Sequence, residues 1–82
     1  MRVELTKRAA RQLDCVNEPL KSRIIGALRK LEEEPPQGDI KKLEGRDGCR
    51  ARIGGYRILF DIDADTVSVY KIAPRGGAYK EN

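Results

Sequence analysis

The sequence contains no histidine and no tryptophan, and only two of its 82 residues are cysteines. Without histidine, the chain cannot carry a Ser-His-Asp or Cys-His arrangement for nucleophilic catalysis, and it lacks the usual imidazole acid and base. Cys15 and Cys49 form no CxxC motif, so we expect no structural metal site and interpret both as small buried apolar residues. Any chemistry must use Lys, Arg, Tyr, Asp, Glu or backbone groups.

Long apolar runs are also missing. The sequence begins MRVELTKRAA, which contains neither the apolar segment of a signal peptide nor a membrane span. We therefore expect a cytoplasmic protein that does not associate with membranes. Its length predicts a single domain, residues 1–82, around one modest core.

Positive charge is in moderate excess. Seventeen Lys and Arg residues against 13 Asp and Glu residues give a formal net charge of +4. This balance favours polyanionic partners such as nucleic acid, but it identifies none, because many small basic domains do not bind nucleic acid.

The first half of the chain is predicted to form a short strand and two helices. Residues Arg2 to Leu5 alternate polar and apolar, as a half-buried strand does. Thr6 can cap a helix over Lys7 to Val16, and a second apolar stripe predicts a helix from Pro19 to about Glu34. The Pro-Pro pair that follows ends this helix, because the residue before a proline avoids the α region.

The second half is predicted to contain four strands. The first covers Ile40 to Leu43, the next two are the arms of a hairpin, and the last covers Val67 to Ile72. A four-residue loop before the last strand would pair Phe60 with Val69. A loop of three or five residues would instead turn Tyr70 and Ile72 inward.

The hairpin places charge and apolar side chains on opposite faces. Gly54-Gly55 suits a two-residue turn, because glycine readily adopts the positive φ that the favoured turns require. Arg52 then lies opposite Arg57, with Arg50 on the same face, although opposed like charges destabilise a sheet. The other face is the predicted core face, which carries Cys49, Ala51, Ile53, Tyr56, Ile58, Phe60 and Ile62.

The order β-α-α-β-β-β-β predicts an α+β fold. Two N-terminal helices should pack on one face of a largely antiparallel sheet of four to five strands. Both helix stripes need an apolar partner, and the core face of the hairpin is the available one. The arginine face should then border solvent or a ligand.

A longer segment resembles a known family. LEGRDGCRARIGGYRILFDIDADTVSVYKIAPRGGAY resembles the RelE/ParE superfamily of toxins from type II toxin–antitoxin pairs. Its members typically show a leucine-glycine turn, an Arg-x-Arg strand, Gly-(Asp or Gly)-Tyr-Arg, an apolar strand and a closing Arg-x-x-x-Tyr. The resemblance covers essentially the whole chain and is to the RelE-like branch.

The resemblance implies an activity and its partners. RelE-branch toxins are ribosome-dependent endoribonucleases, or mRNA interferases, that cut messenger RNA in the decoding site. The reaction uses no metal: the RNA 2′-hydroxyl attacks the adjacent phosphorus, and a 2′,3′-cyclic phosphate forms. The implied partners are a cognate antitoxin, the ribosome and mRNA, with no cofactor.

The resemblance also implies the site residues. Arg57 would bind the charged oxygens of the transition state, because a guanidinium can bind two of them at once. Arg75 would hold the scissile phosphate or stabilise the leaving oxygen, and Tyr79 would stack on a base or share in proton transfer. Candidate RNA- and phosphate-binding residues are Arg50, Arg52, Lys41 and Lys42.

The sequence does not identify the residues that would transfer protons in this reaction. Arginine is a poor general base because its pKa lies far above neutral pH, and the conceivable alternatives are Lys41, Lys42, Lys71, Lys80 and Glu44. The chain has Pro74 where some members have histidine, and Arg50 and Arg52 where some have lysine, so potential acid–base groups are missing.

Other interpretations of the same residues stay open. The arginines could form a solvated face paired with Asp61 and Glu44. The protein could also be a ParE-like inhibitor of DNA gyrase without nuclease activity, or an inactive relative that only binds an antitoxin.

Overall fold

The computed structural model describes residues 1–45 and 47–74. The five strands and two helices follow the predicted order. They are β1 (Arg2–Leu5), α1 (Lys7–Asp14), α2 (Leu20–Lys30), β2 (Ile40–Lys42), β3 (Cys49–Ile53), β4 (Tyr56–Asp63) and β5 (Thr66–Pro74).

The strands form one mixed sheet in the order β1-β5-β4-β3-β2. The pairs β5–β4, β4–β3 and β3–β2 are antiparallel, and β1 runs parallel to β5. Two helices packed against a five-stranded sheet confirm the predicted α+β class. No helix in the described ranges is long and apolar enough to cross a membrane.

The core lies between the two helices and one face of the sheet. α1 contributes Ala9 and α2 contributes Ile24 and Leu28, and these pack with the apolar face of the hairpin as predicted. Burial of this apolar surface is the main favourable contribution to folding. The remaining buried members of the cluster are Val16, Leu31, Ala51, Ile58, Phe60, Val67, Val69 and Ile72.

Both helices are shorter than the patterns predict. Thr6 caps α1 as expected, since its Oγ1 accepts a hydrogen bond from the Ala9 N–H at 3.1 Å. α2 ends at Lys30, whose carbonyl accepts a hydrogen bond from the Gln37 N–H at 3.0 Å. The Glu-Glu-Glu run that follows also opposes further helix, because acidic side chains are unfavourable at the negative end of the helix dipole.

A β-bulge reconciles the two registers considered for the last strand. Phe60 pairs with Val69, but Leu59 pairs with Lys71, so Tyr70 is an extra residue in β5. The connecting turn has two residues, because Asp63 already pairs with Thr66. Val67, Val69 and Ile72 are therefore all buried, which no single alternation pattern allows.

Two predicted core positions are wrong. Ile62 is 45% exposed, because β3 stops pairing with β4 at Cys49 opposite Phe60 and leaves Ile62 without a strand on that side. Cys15 is exposed at the end of α1, whereas Cys49 is half-buried.

The turn before β3 depends on a glycine. Gly48 has φ of 113°, and a Cβ at this position would lie 2.9 Å from Asp61 Oδ1 and 3.4 Å from the Phe60 carbonyl oxygen. We expect Gly48→Ala to destabilise the protein by about 1–3 kcal/mol more than Gly45→Ala. Gly45 is the control because a Cβ added there would have no atom within 4 Å. Urea unfolding of both variants measures the difference. Equal losses would show that the contacts at Gly48 relax without cost.

The start of α2 contains a carboxylate with a lowered pKa. The Ser22 hydroxyl donates a hydrogen bond to Glu18 Oε1 at 2.7 Å, and the Ser22 N–H donates one to the same oxygen at 3.0 Å. These bonds, the hydroxyl first, lower the pKa of Glu18 because they favour its charged form, and Lys21 adds a smaller effect.

A folded-state pKa below the unfolded value stabilises the fold at pH above the unfolded pKa, and this contribution is lost as pH falls through the folded pKa. We expect Ser22→Ala to raise the pKa of Glu18 towards its ordinary value, and Lys21→Ala to raise it less. NMR titration of the Glu18 carboxyl carbon measures both. A larger effect of Lys21→Ala would contradict the assignment to the hydroxyl.

Candidate functional site

The hairpin has the predicted register. Arg52 pairs with Arg57 and Ile53 with Tyr56, and Gly54 enters the turn with φ of 56°. Arg50 pairs with Leu59 on one side and with Lys41 on the other. Paired residues share a face of the sheet, so the three arginines and Lys41 lie on the face opposite the helices.

A cleft of about 410 Å³ brings together four of the seven candidate site residues. It lies between β2, the loop after β2 and the β3–β4 hairpin. The lining residues are Lys41, Lys42, Leu43, Glu44, Arg50 and Arg57. Four cations around one small space create a positive potential that attracts a phosphate.

Arg52 does not line this cleft. Its Nε lies 3.4 Å from Asp39 Oδ2, and its backbone N–H donates a hydrogen bond to the Asp39 carbonyl at 3.1 Å. The acidic partner of Arg52 is therefore Asp39, and not Asp61 or Glu44, the partners named in the alternative interpretation of a solvated arginine face. Sequence reasoning missed it, although pairing of Ile40 with Ala51 places the preceding Asp39 beside Arg52.

The arginine face is more enclosed than expected. Leu59 and Lys71 on this face are 8% and 4% exposed, and Arg50, Arg52 and Arg57 are half-buried. The Nη1 atom of Arg50 is shielded from solvent and has no hydrogen-bond partner among the described residues. A desolvated guanidinium with donor capacity left binds an anion more strongly than an exposed one.

The remaining candidates divide between three places. Arg75, Tyr79 and Lys80 lie outside the described residues. Of the conceivable proton-transfer groups, Glu44 lines the cleft, whereas Lys71 lines a different cavity between α1 and β5. Within residues 1–45 and 47–74, no three Asp, Glu or Cys side chains cluster in a way that could hold a metal ion.

Comparison with known families identifies the chain. A family model described as "ParE toxin of type II toxin-antitoxin system, parDE" matches residues 3–79. The chain belongs to the RelE/ParE toxin superfamily. It is therefore a toxin of the type II toxin–antitoxin class, as the Arg-x-Arg and Gly-Gly-Tyr-Arg motifs predict.

Solved structures of RelE proteins have the same fold as this toxin. A chain of the archaeal RelE–RelB complex from Pyrococcus horikoshii OT3 is 30% identical with a TM-score of 0.78, covering 93% of this chain and 96% of its own. A chain of the RelBE2 toxin–antitoxin complex from Mycobacterium tuberculosis is 26% identical with a TM-score of 0.77. The match covers 90% of this chain and 96% of that one.

The isolated RelE toxin of E. coli is similar in fold alone, with 20% identity and a TM-score of 0.76. The match covers 98% of this chain and 92% of the E. coli chain. None of the curated proteins matches the sequence of this toxin significantly. The matching family model is named for ParE and the similar structures for RelE, so the branch must be decided from the site.

The like charges of the cleft predict a stability effect. We expect Arg50→Met to stabilise the protein by about 0.2–1 kcal/mol, because it removes a charge opposite Lys41 and keeps most of the side-chain volume. Urea unfolding at low salt measures this, and added salt should reduce it. Arg29→Met, at an exposed α2 position, is the matched control. A loss of stability specific to Arg50→Met would show that attractive contacts hold Arg50.

Proposed function

We propose that this toxin is a ribosome-dependent mRNA endoribonuclease that cuts mRNA in the decoding site. The observation that supports the proposal is the cleft in which Lys41, Lys42, Arg50 and Arg57 surround one space of about 410 Å³. A phosphodiester fits the charge of this cleft. Inhibition of gyrase without cleavage does not require such a phosphate site.

The reaction is an in-line transfer at phosphorus that uses no metal. The 2′-oxygen of the RNA attacks the adjacent phosphorus, and the bond from phosphorus to the 5′-oxygen of the next nucleotide breaks. The products are a 2′,3′-cyclic phosphate and a 5′-hydroxyl. One proton leaves the 2′-hydroxyl and one reaches the departing 5′-oxygen, so atoms and charge balance.

Arg57 is the proposed main stabiliser of the transition state. It lies in β4, which pairs with a strand on each side, so its backbone is held in place. A fixed guanidinium can bind two equatorial oxygens as they gain charge, and it keeps its own proton throughout. Arg50, Lys41 and Lys42 then bind the phosphate and its neighbours.

The cleft contains few side chains that could transfer protons. Glu44 is the carboxylate that lines the cleft, and we propose it as the first candidate for the base. By the family motif, Arg75 would hold the scissile phosphate and Tyr79 would stack on a base. Positioning by the ribosome would supply much of the remaining acceleration.

An antitoxin is the proposed protein partner. Structurally similar chains come from RelE–RelB complexes of P. horikoshii and M. tuberculosis. The half-buried arginine face could be covered by an acidic antitoxin segment, which would block the cleft by charge neutralisation.

Gyrase inhibition is the second candidate function, favoured by the ParE name of the matching family model. Purified toxin added to translating ribosomes with a defined message separates the two. Cuts mapped by their 5′ ends within the decoding site favour the nuclease, whereas inhibited DNA supercoiling without cuts favours the alternative.

Arg57→Ala is the decisive variant. We expect it to lower the single-turnover cleavage rate on the ribosome by at least about 100-fold, as loss of a preorganised transition-state donor does. The fold should persist, because Arg57 lies on the face away from the helix core. Arg29→Ala removes the same charge from an exposed α2 position and should cut normally.

Arg57→Lys refines this test. It keeps the positive charge but cannot bind two oxygens in parallel, so it should restore only part of the rate. Cleavage by folded Arg57→Ala at the wild-type rate would remove Arg57 from the site.

A further inference from the structure

The sheet face that carries the arginines becomes acidic towards the end of β4. Side chains alternate along a strand, so Arg57, Asp61 and Asp63 lie on the same face. Asp61 lies two residues beyond Leu59, which pairs with Arg50 of the cleft. With a rise of about 3.3 Å per residue, about 7 Å separate the Cα atom of Asp61 from this pair along the strand direction. Both aspartates are exposed, and none of the roles assigned above uses them.

The carboxylate of Asp61 borders the cleft. A Cβ on Gly48 would lie 2.9 Å from Asp61 Oδ1 and 3.3 Å from Leu43 Cδ1, so these two atoms flank the same point. Leu43 lines the cleft, as does Lys42. The same two residues also line a neighbouring cavity of about 580 Å³, whose lining includes Asp61 and Asp63. Negative charge therefore adjoins the cationic cleft on the side of the loop after β2.

The two aspartates are not neutralised by a basic side chain. Within residues 1–45 and 47–74, neither Asp61 nor Asp63 forms an ion pair. Glu4 lies in the same row of this face as Asp61, since both pair with Ser68, but its Oε2 is 3.7 Å from Arg2 Nη1. An unpaired carboxylate repels a phosphate that comes close to it. RNA that extended from the cleft along β4 would meet this repulsion.

We propose that Asp61 and Asp63 are specificity-determining residues that confine RNA to the cleft. This proposal rests on the proposed function, in which the cleft binds a phosphodiester. RNA carries a negative charge on every phosphate, so each nucleotide placed over the acidic end of β4 loses binding energy. Within the cleft, Lys41 and Lys42 attract the same charges. The boundary therefore weakens the binding of RNA that the ribosome does not hold in place.

A matched pair of substitutions tests this boundary. Asp61→Asn and Glu4→Gln make the same change in net charge in one row of one face, but Glu4 lies two strands further from β4, at about 10 Å. The probe is a 2′-O-methyl RNA nonamer, which cannot be cleaved by 2′-attack, and binding is measured by fluorescence anisotropy without ribosomes. In about 0.1 M salt the Debye length is about 10 Å, so each charge acts mainly on its surroundings.

The expected gain depends on position and on RNA length. We expect Asp61→Asn to tighten binding of the nonamer about two- to fivefold, Asp63→Asn to tighten it less, and Glu4→Gln to leave it unchanged. A 2′-O-methyl dinucleotide, used as a competitor, has a single phosphate and reports on the cleft alone. Its affinity should gain less from Asp61→Asn than that of the nonamer, because the boundary acts on nucleotides outside the cleft.

The outcomes separate the boundary from the nuclease function. Circular dichroism confirms that the variants are folded. Equal gains for Asp61→Asn and Glu4→Gln would assign the effect to net charge and overturn the boundary, and so would no gain or weaker binding by Asp61→Asn. Arg57-dependent cleavage on ribosomes would then still stand. Conversely, absence of cleavage by wild type, together with a gain specific to Asp61→Asn, would overturn the nuclease and leave the boundary in place.

Discussion

The register of the β3–β4 hairpin is the constraint on which the rest of the structure depends. A two-residue turn at Gly54-Gly55 sets Arg52 opposite Arg57, and the period of two then assigns every side chain of both strands to a face. A slip by one residue would move the arginines under the helices and place Ile58 and Phe60 on the other face. Burial of Ile58 and Phe60 therefore also fixes the orientation of the cationic cleft.

The cleft combines like charges with partial burial, a combination expected to lower the stability of the free protein. Arg50 faces Lys41 across one strand pair, and one nitrogen of its guanidinium has no hydrogen-bond partner among the described residues. A phosphate would supply both the missing negative charge and the missing acceptor. Stability and anion binding thus make opposite demands on Arg50. Arg52 differs from Arg50 in having a carboxylate nearby, since its Nε lies 3.4 Å from Asp39 Oδ2.

Patterns of neighbouring residues in the sequence predicted those features of the fold that neighbouring residues determine. Alternation and the Gly-Gly turn gave the hairpin register, and the Thr6 cap gave the start of α1. The bulge at Tyr70 could not be predicted, since it breaks the alternation on which the prediction depends. Asp39 was missed for another reason: its contact with Arg52 arises between strands separated by a loop, so it depends on how β2 pairs with β3.

Under the proposed nuclease function, the absence of histidine limits how this site could catalyse the reaction. A guanidinium binds anions but is a poor proton acceptor, so under the proposed function Arg50 and Arg57 would bind a developing phosphorane and another group would take the 2′-hydroxyl proton. Under the proposed function, the site would act mainly by electrostatic stabilisation and positioning, because its cleft has few groups for proton transfer. A substrate held by the cations of the cleft would suit such a catalyst, because alignment of the attacking oxygen and the leaving oxygen would then supply much of the acceleration. RelE structures with 20–30% identity have the same fold at TM-scores of 0.76–0.78, so the fold alone cannot distinguish a nuclease from a gyrase inhibitor. Under the proposed nuclease function, the cations and Glu44 of the cleft are the groups that a gyrase inhibitor would not need.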